Sequence, residues 1–120
     1  MVIGMDDVIV YEAVLEAGRS GRTVALATVV ATRGSTPRHA GSRMLIDPNA
    51  GLVGTIGGGC GEADVIEAAK EVLATGIPKL LRVQLTDPID SWSPAVCGGI
   101  MDVFVEPVMP SLDAEFRVAD

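Results

Sequence analysis

Residues 23–32 read TVALATVVAT, from Thr23 to Thr32. The run is rich in β-branched residues, carries no charge and is apolar on both faces. Such a run suits a central strand covered on both sides. It ends at Arg33-Gly34, where the chain turns. Upstream, Asp6 and Asp7 offer an N-cap. Val8, Tyr11, Val14, Leu15 and Gly18 then follow helical spacing, with Gly18 as the stop. Downstream, Arg43–Ile46 and Leu52–Ile56 flank Asp47-Pro48-Asn49-Ala50-Gly51, a hairpin signal with a loop longer than two residues. Residues 62–75 are the clearest helix. Val65, Ile66, Ala69, Val72 and Leu73 form one stripe, Gly76 stands at the C′ position and Pro78 follows. In residues 79–85, Leu81, Val83 and Leu85 alternate with Arg82 and Gln84, predicting a half-buried strand. Residues 100–106 predict a last strand with Met101, Val103 and Val105 on one side.

The order helix, strand, hairpin, helix, strand, loop, strand predicts an α+β domain, a mixed β-sheet with two or more packed helices. At 120 residues the chain is expected to form one compact domain over 1–120, with a core at about 8–107 and a tail at 108–120. Apolar residues make up 48% but aromatic residues only 3%, so the core must be aliphatic.

The net charge of −7 argues against a nucleic-acid binder. No acid occurs between Glu16 and Asp47, and that stretch holds Arg19, Arg22, Arg33, Arg38 and Arg43. A local cationic patch on an acidic protein suits a small anionic ligand. Arg19 and Arg22 follow a helix end and read as helix-end or solvated cations. Two cysteines make no disulfide framework, and no apolar run approaches the roughly 20 residues of a membrane span. No signal peptide is visible, so a cytoplasmic protein with reduced thiols is expected.

Three glycine-centred loops carry the chemistry. The first is Gly34-Ser35-Thr36-Pro37-Arg38-His39. Ser35 adds a hydroxyl, and the Arg38 fork suits phosphate or carboxylate. The second is Gly57-Gly58-Gly59-Cys60-Gly61-Glu62, between a strand and a helix N-terminus, where unpaired N–H groups favour an anion. It matches neither the dinucleotide fingerprint nor the P-loop: Glu62 and Asp64 stand where a third glycine would fall, and Cys60-Gly61 replaces Lys-Ser/Thr. Cys60 is expected near the first helical turn, where the dipole favours a thiolate. The third is Cys97-Gly98-Gly99, whose successive N–H groups suit a nest. Both cysteines lie in these loops. A closed zinc site is not expected without close C-x-x-C spacing. The single histidine, His39, defines no catalytic triad, and no catalytic residue is assigned beyond Cys60 as a candidate nucleophile.

The ordered set Gly34-Ser35-x-Pro37-Arg38, Gly41-Ser42-x-Met44, Gly54-Thr55-Ile56-Gly57-Gly58-Gly59-Cys60-x-Glu62 and Cys97-Gly98-Gly99 resembles the XdhC/CoxI family, the xanthine dehydrogenase accessory factors, over about residues 8 to 107. The resemblance implies a cytoplasmic maturation factor for a molybdenum hydroxylase of the xanthine dehydrogenase or CO dehydrogenase type. It would bind molybdenum cofactor (molybdopterin) as cargo, protect it, and assist its sulfuration and insertion into the apoenzyme. The binding set it implies is Ser35, Arg38, Gly57, Gly58, Gly59, Cys60, Glu62, Cys97, Gly98 and Gly99, with Cys60 and Cys97 as molybdenum contacts. Longer members resemble this domain followed by a Rossmann-type domain. Here that domain is expected to be absent or supplied by a separate chain, and self-association into a homo-oligomer is expected. Two alternatives stand beside this reading: a thiol-dependent sulfur or group transferase using Cys60, and a regulatory subunit binding a nucleotide or other small anion.

Overall fold

The computed structural model describes residues 5–34, 39–49, 51–56, 61–85 and 99–110. Among these residues two helices, α1 (Met5–Arg19) and α2 (Glu62–Thr75), pack on a sheet of five strands. The strands are β1 (Val24–Arg33), β2 (Arg43–Asp47), β3 (Gly51–Gly54), β4 (Lys79–Gln84) and β5 (Ile100–Val108). Their order is β3-β2-β1-β5-β4, so β1 is central. Every pairing is antiparallel, where the element order had suggested a mixed sheet. The difference has a topological cause. β3, α2 and β4 form a crossover whose two strands run in the same direction, but they occupy opposite edges of the sheet. β5 inserts between β1 and β4, so no two parallel strands touch among the described residues.

The alternation of β1 splits the core in two. Ala25, Ala27 and Val29 face α2, together with Met44, Ile46, Val83, Met101, Val103 and Val105. From α2, Val65, Ala68, Ala69 and Val72 fill that layer. On the opposite face Val24 and Leu45 meet Val10 and Ala17 of α1, with Leu26, Val53 and Val108 beside them. α2 lies over β1, β5 and β4, whereas α1 lies over β2 and β3. The far face of β4, β5 and the C-terminal half of β1 carries no helix among the described residues. Val30, in a bulge of β1, is 50% exposed there. Coverage of β1 on both sides therefore holds for its first half alone.

The second helix has the expected bounds. Its final turn closes on Gly76, in the left-handed region, which donates its N–H to the Val72 carbonyl at 2.7 Å. The face of α1 differs from expectation. Val10 and Ala17 are buried and Ala13 and Val14 half-buried, while Val8, Tyr11 and Leu15 point outward. α1 is apolar nearly all round, so spacing alone does not choose a side. Ala13 and Ala17 let the helix approach the sheet closely, and Tyr11 receives the Arg43 guanidinium 5.6 Å from its ring centre instead. Asp6 and Asp7 fall inside the first turn rather than at the cap. β5 runs two residues past Glu106, through Pro107, which pairs with Ala25 of β1 beyond the end of β4. Proline is tolerated where the strand has one neighbour.

Arg22 is not a solvated cation. Its Nη2 lies 2.9 Å from Oδ2 of Asp47, whose side chain is 3% exposed. Asp47 also accepts the Asn49 N–H at 2.9 Å, shaping the β2–β3 hairpin. The pair ties the α1–β1 link to the hairpin. Arg22→Ala is expected to cost about 2 kcal/mol, because it strips a charged partner from a buried carboxylate while Arg22 itself is partly solvated. Urea denaturation would show the midpoint falling. An unchanged midpoint would remove this pair from the stabilising set.

Candidate functional site

Strand direction decides where the three glycine loops begin and end. β1, β3 and β4 run toward one end of the sheet, and β2 and β5 run away from it. The β1–β2, β3–α2 and β4–β5 connections therefore all leave from the same end. The α1–β1, β2–β3 and α2–β4 connections lie at the other.

The roots of the three loops interlock. Arg33 of β1 is in register with Ile100 of β5, which is in register with Gln84 of β4. The Leu85 N–H bonds the Gly99 carbonyl at 2.9 Å, closing the base of the third loop. At the first, Val29 donates its N–H to Ser42 and accepts the Gly41 N–H, at 2.9 and 2.7 Å. Ile56, fully buried, anchors the start of the second. Gly61 caps α2 and packs against Val83 and Leu85, so the second loop returns beside the third.

Among the expected site residues, Glu62 and Gly99 fall within the described residues. Glu62 is half-buried in the first turn of α2 and accepts a hydrogen bond from the Thr55 hydroxyl, which joins the two ends of the second loop. Gly99 is buried at the root of the third. Ser35, Arg38, Gly57, Gly58, Gly59, Cys60, Cys97 and Gly98 lie outside the described residues, as does Trp92. His39 is exposed, its carbonyl accepting the Ser42 N–H at 3.2 Å. Among the described residues no three His, Cys, Asp or Glu side chains gather for a metal, and no helix is long and apolar enough to cross a membrane.

Sequence reasoning passed over Thr55 as a partner for Glu62, and Gly54 as a packing residue. A Cβ on Gly54 would lie 2.7 Å from the Arg43 carbonyl oxygen and 2.8 Å from Val10 Cγ2. Both residues stand inside the Gly54–Glu62 motif, at the root of the second loop. The available signal was the span of seven residues from Thr55 to Glu62 across a glycine run.

Residues 17–84, bracketing the first two glycine loops, match the XdhC and CoxI family. The chain belongs to the XdhC and CoxI family. YqeB of Escherichia coli (strain K12), an uncharacterised protein, is 40% identical over 81 residues, 68% of this chain and 15% of its own. The crystal structure of a xanthine dehydrogenase from Bacillus halodurans is similar with a TM-score of 0.71 and 28% identity, over 89% of this chain and 32% of that one. The XdhC and CoxI family chain thus spans less than a third of the length of either relative. Its first two glycine loops fall within the family match, and the Cys97-Gly98-Gly99 segment lies beyond it.

Proposed function

We propose that this XdhC and CoxI family domain is a molybdenum-cofactor-binding accessory protein. It would protect the cofactor and assist its sulfuration and insertion into a molybdenum hydroxylase of the xanthine dehydrogenase or CO dehydrogenase type. The observation that carries the reading is the rooting of all three glycine loops at one end of the sheet, in a chain of this family. The similarity to a structure described as a xanthine dehydrogenase adds support for the client class.

Residue chemistry assigns the roles. Molybdopterin carries a phosphate and a soft dithiolene. Arg38 and the N–H groups of Gly57, Gly58, Gly59, Gly98 and Gly99 suit the phosphate, with the Ser35 hydroxyl beside them. Cys60 and Cys97 are the soft ligands for a molybdenum centre. The glycine run precedes α2 in the chain, and the N-terminal end of a helix favours negative charge. Glu62 would partly oppose that charge, and its hydrogen bond from Thr55 gives the carboxylate a partner within the loop. The hydroxylase apoenzyme is the recipient. A second copy of the domain, or a separate Rossmann-type chain, is the expected companion.

Mixing the purified domain with molybdenum cofactor and separating bound from free by gel filtration tests this. Pterin fluorescence and molybdenum should co-elute with the protein at about one per chain, without turnover. Absence of both from the protein peak would overturn the proposal. Cys60→Ala and Cys97→Ala are each expected to lower retained molybdenum at least about tenfold if the thiols ligate it. Unchanged retention in both variants would end the ligation role.

A further inference from the structure

On the helix-free face of the sheet, two rows of side chains cross the strands at the end where the glycine loops begin. The outer row is Arg33 on β1, Ile100 on β5 and Gln84 on β4. The next row is Ala31, Asp102 and Arg82. Ile100 is half-buried and apolar, with a donor on each side of it. Arg33 and Gln84 stand two strand spacings apart, about 10 Å between backbones, which long side chains span over a small anion.

The charges in these rows are not equally engaged. Arg82 grips Asp102 through Nε to Oδ1 at 2.9 Å and Nη2 to Oδ2 at 3.5 Å. The Asp102 carboxyl is held below its usual range, first by this hydrogen bond and to a lesser degree by the charges of Arg82 and Arg33. Arg33 is exposed and makes no hydrogen bond or ion pair among the described residues. The other described arginine at this end, Arg43, is placed over Tyr11 and donates to the Gly41 carbonyl. Among the described residues, two guanidiniums against one carboxylate leave these two rows at net +1 in a chain of net charge −7. The Arg82–Asp102 fork keeps the carboxylate from consuming Arg33. Arg33 is also carried by a strand rather than a loop, so its backbone is fixed before any guest arrives.

We propose that Arg33, with Gln84 across Ile100 and Arg82 beside it, forms a subsite for a phosphate or pyrophosphate group at the rim of the loop cluster. It rests on the cofactor-carrier reading and adds to it: at the rim, the open face of the sheet contributes a strand-borne guanidinium to the phosphate that the glycine loops hold from the other side. The phosphate of the pterin and that of a nucleotide share this chemistry.

Calorimetric titration of the full chain with inorganic pyrophosphate tests the subsite directly. Arg33→Ala is expected to weaken binding at least about tenfold, and Arg33→Lys less, because a lysine keeps the charge and loses the fork. Arg19→Ala, an exposed arginine at the opposite end of the sheet, should leave the affinity within about twofold. Circular dichroism should show both alanine variants folded, since both side chains are solvent-exposed. Undiminished pyrophosphate binding in Arg33→Ala, or none in the parent chain, would overturn the subsite. Parallel titrations with molybdenum cofactor and with a nucleoside diphosphate separate the two sources by which affinity Arg33→Ala lowers. Cofactor and pyrophosphate both bound equally by parent and Arg33→Ala would sink the subsite and leave the carrier reading standing. Arg33-dependent pyrophosphate binding without cofactor retention would do the reverse.

Discussion

Gly54→Ala is expected to destabilise the domain by about 3 kcal/mol or more. Two costs add. Gly54 has a φ of +83°, where a side chain costs about 1–2 kcal/mol. The new Cβ would also stand 2.7 Å from the Arg43 carbonyl oxygen and 2.8 Å from Val10 Cγ2. The first of these is backbone in the β2–β3 pair, where Met44 is in register with Gly54. It cannot swing aside as a side-chain tip can, and overpacking of this kind costs about 1–3 kcal/mol. Gly76→Ala is the control. Its φ is +75°, and a Cβ there meets nothing within 4 Å, so it should show the backbone cost alone, about 1 kcal/mol. Thermal or urea unfolding of the two variants side by side isolates the steric part. Equal losses would mean that α1 and β2 yield to the methyl group and that the close packing at Gly54 is not enforced.

Gly61→Ala carries the second large effect and bears on the site. The φ is +74°, and the Cβ would come within 2.4 Å of Val83 Cγ1 and 3.0 Å of Leu85 Cδ2. Here the obstacles are side chains, but they belong to the packed core beneath α2, where Val83 is 1% and Leu85 5% exposed. A loss of about 2–4 kcal/mol is expected. Val83→Ala should partly relieve it. The double variant is expected to lose at least about 1 kcal/mol less than the two single losses combined, the signature of residues in contact. Strict additivity would sink the steric explanation. Because Gly61 joins the second loop to α2 beside the root of the third, the same substitution is expected to lower cofactor retention even where the domain still folds.

Most elements were legible along the chain because their signals are local. The α2 stripe, its glycine stop and Pro78 define a helix without reference to anything distant, and the structure places it at Glu62–Thr75. Met101, Val103 and Val105 stand at every second residue, and all three are fully buried. The buried side of α1 was not legible. A helix apolar around most of its circumference is oriented by what it packs against, and that partner, the β2–β3 hairpin, comes some thirty residues later in the chain. Arg22 was misread for a similar reason: its partner Asp47 is 25 residues away, and nothing near Arg22 announces it.

The candidate site divides along the same line. Residue chemistry picked out the arginines, thiols and glycine loops, since a guanidinium fork or a thiol has its reactivity wherever it stands. Their common rooting could not be read from spacing, because the three loops are separated by whole strands and a helix. It follows from β5 lying between β1 and β4, which makes neighbouring strands alternate in direction and sends all three connections to one end. That arrangement is a matter of strand pairing between distant segments. Local hydrophobic pattern says which residues must be covered, and it is silent on which neighbour covers them.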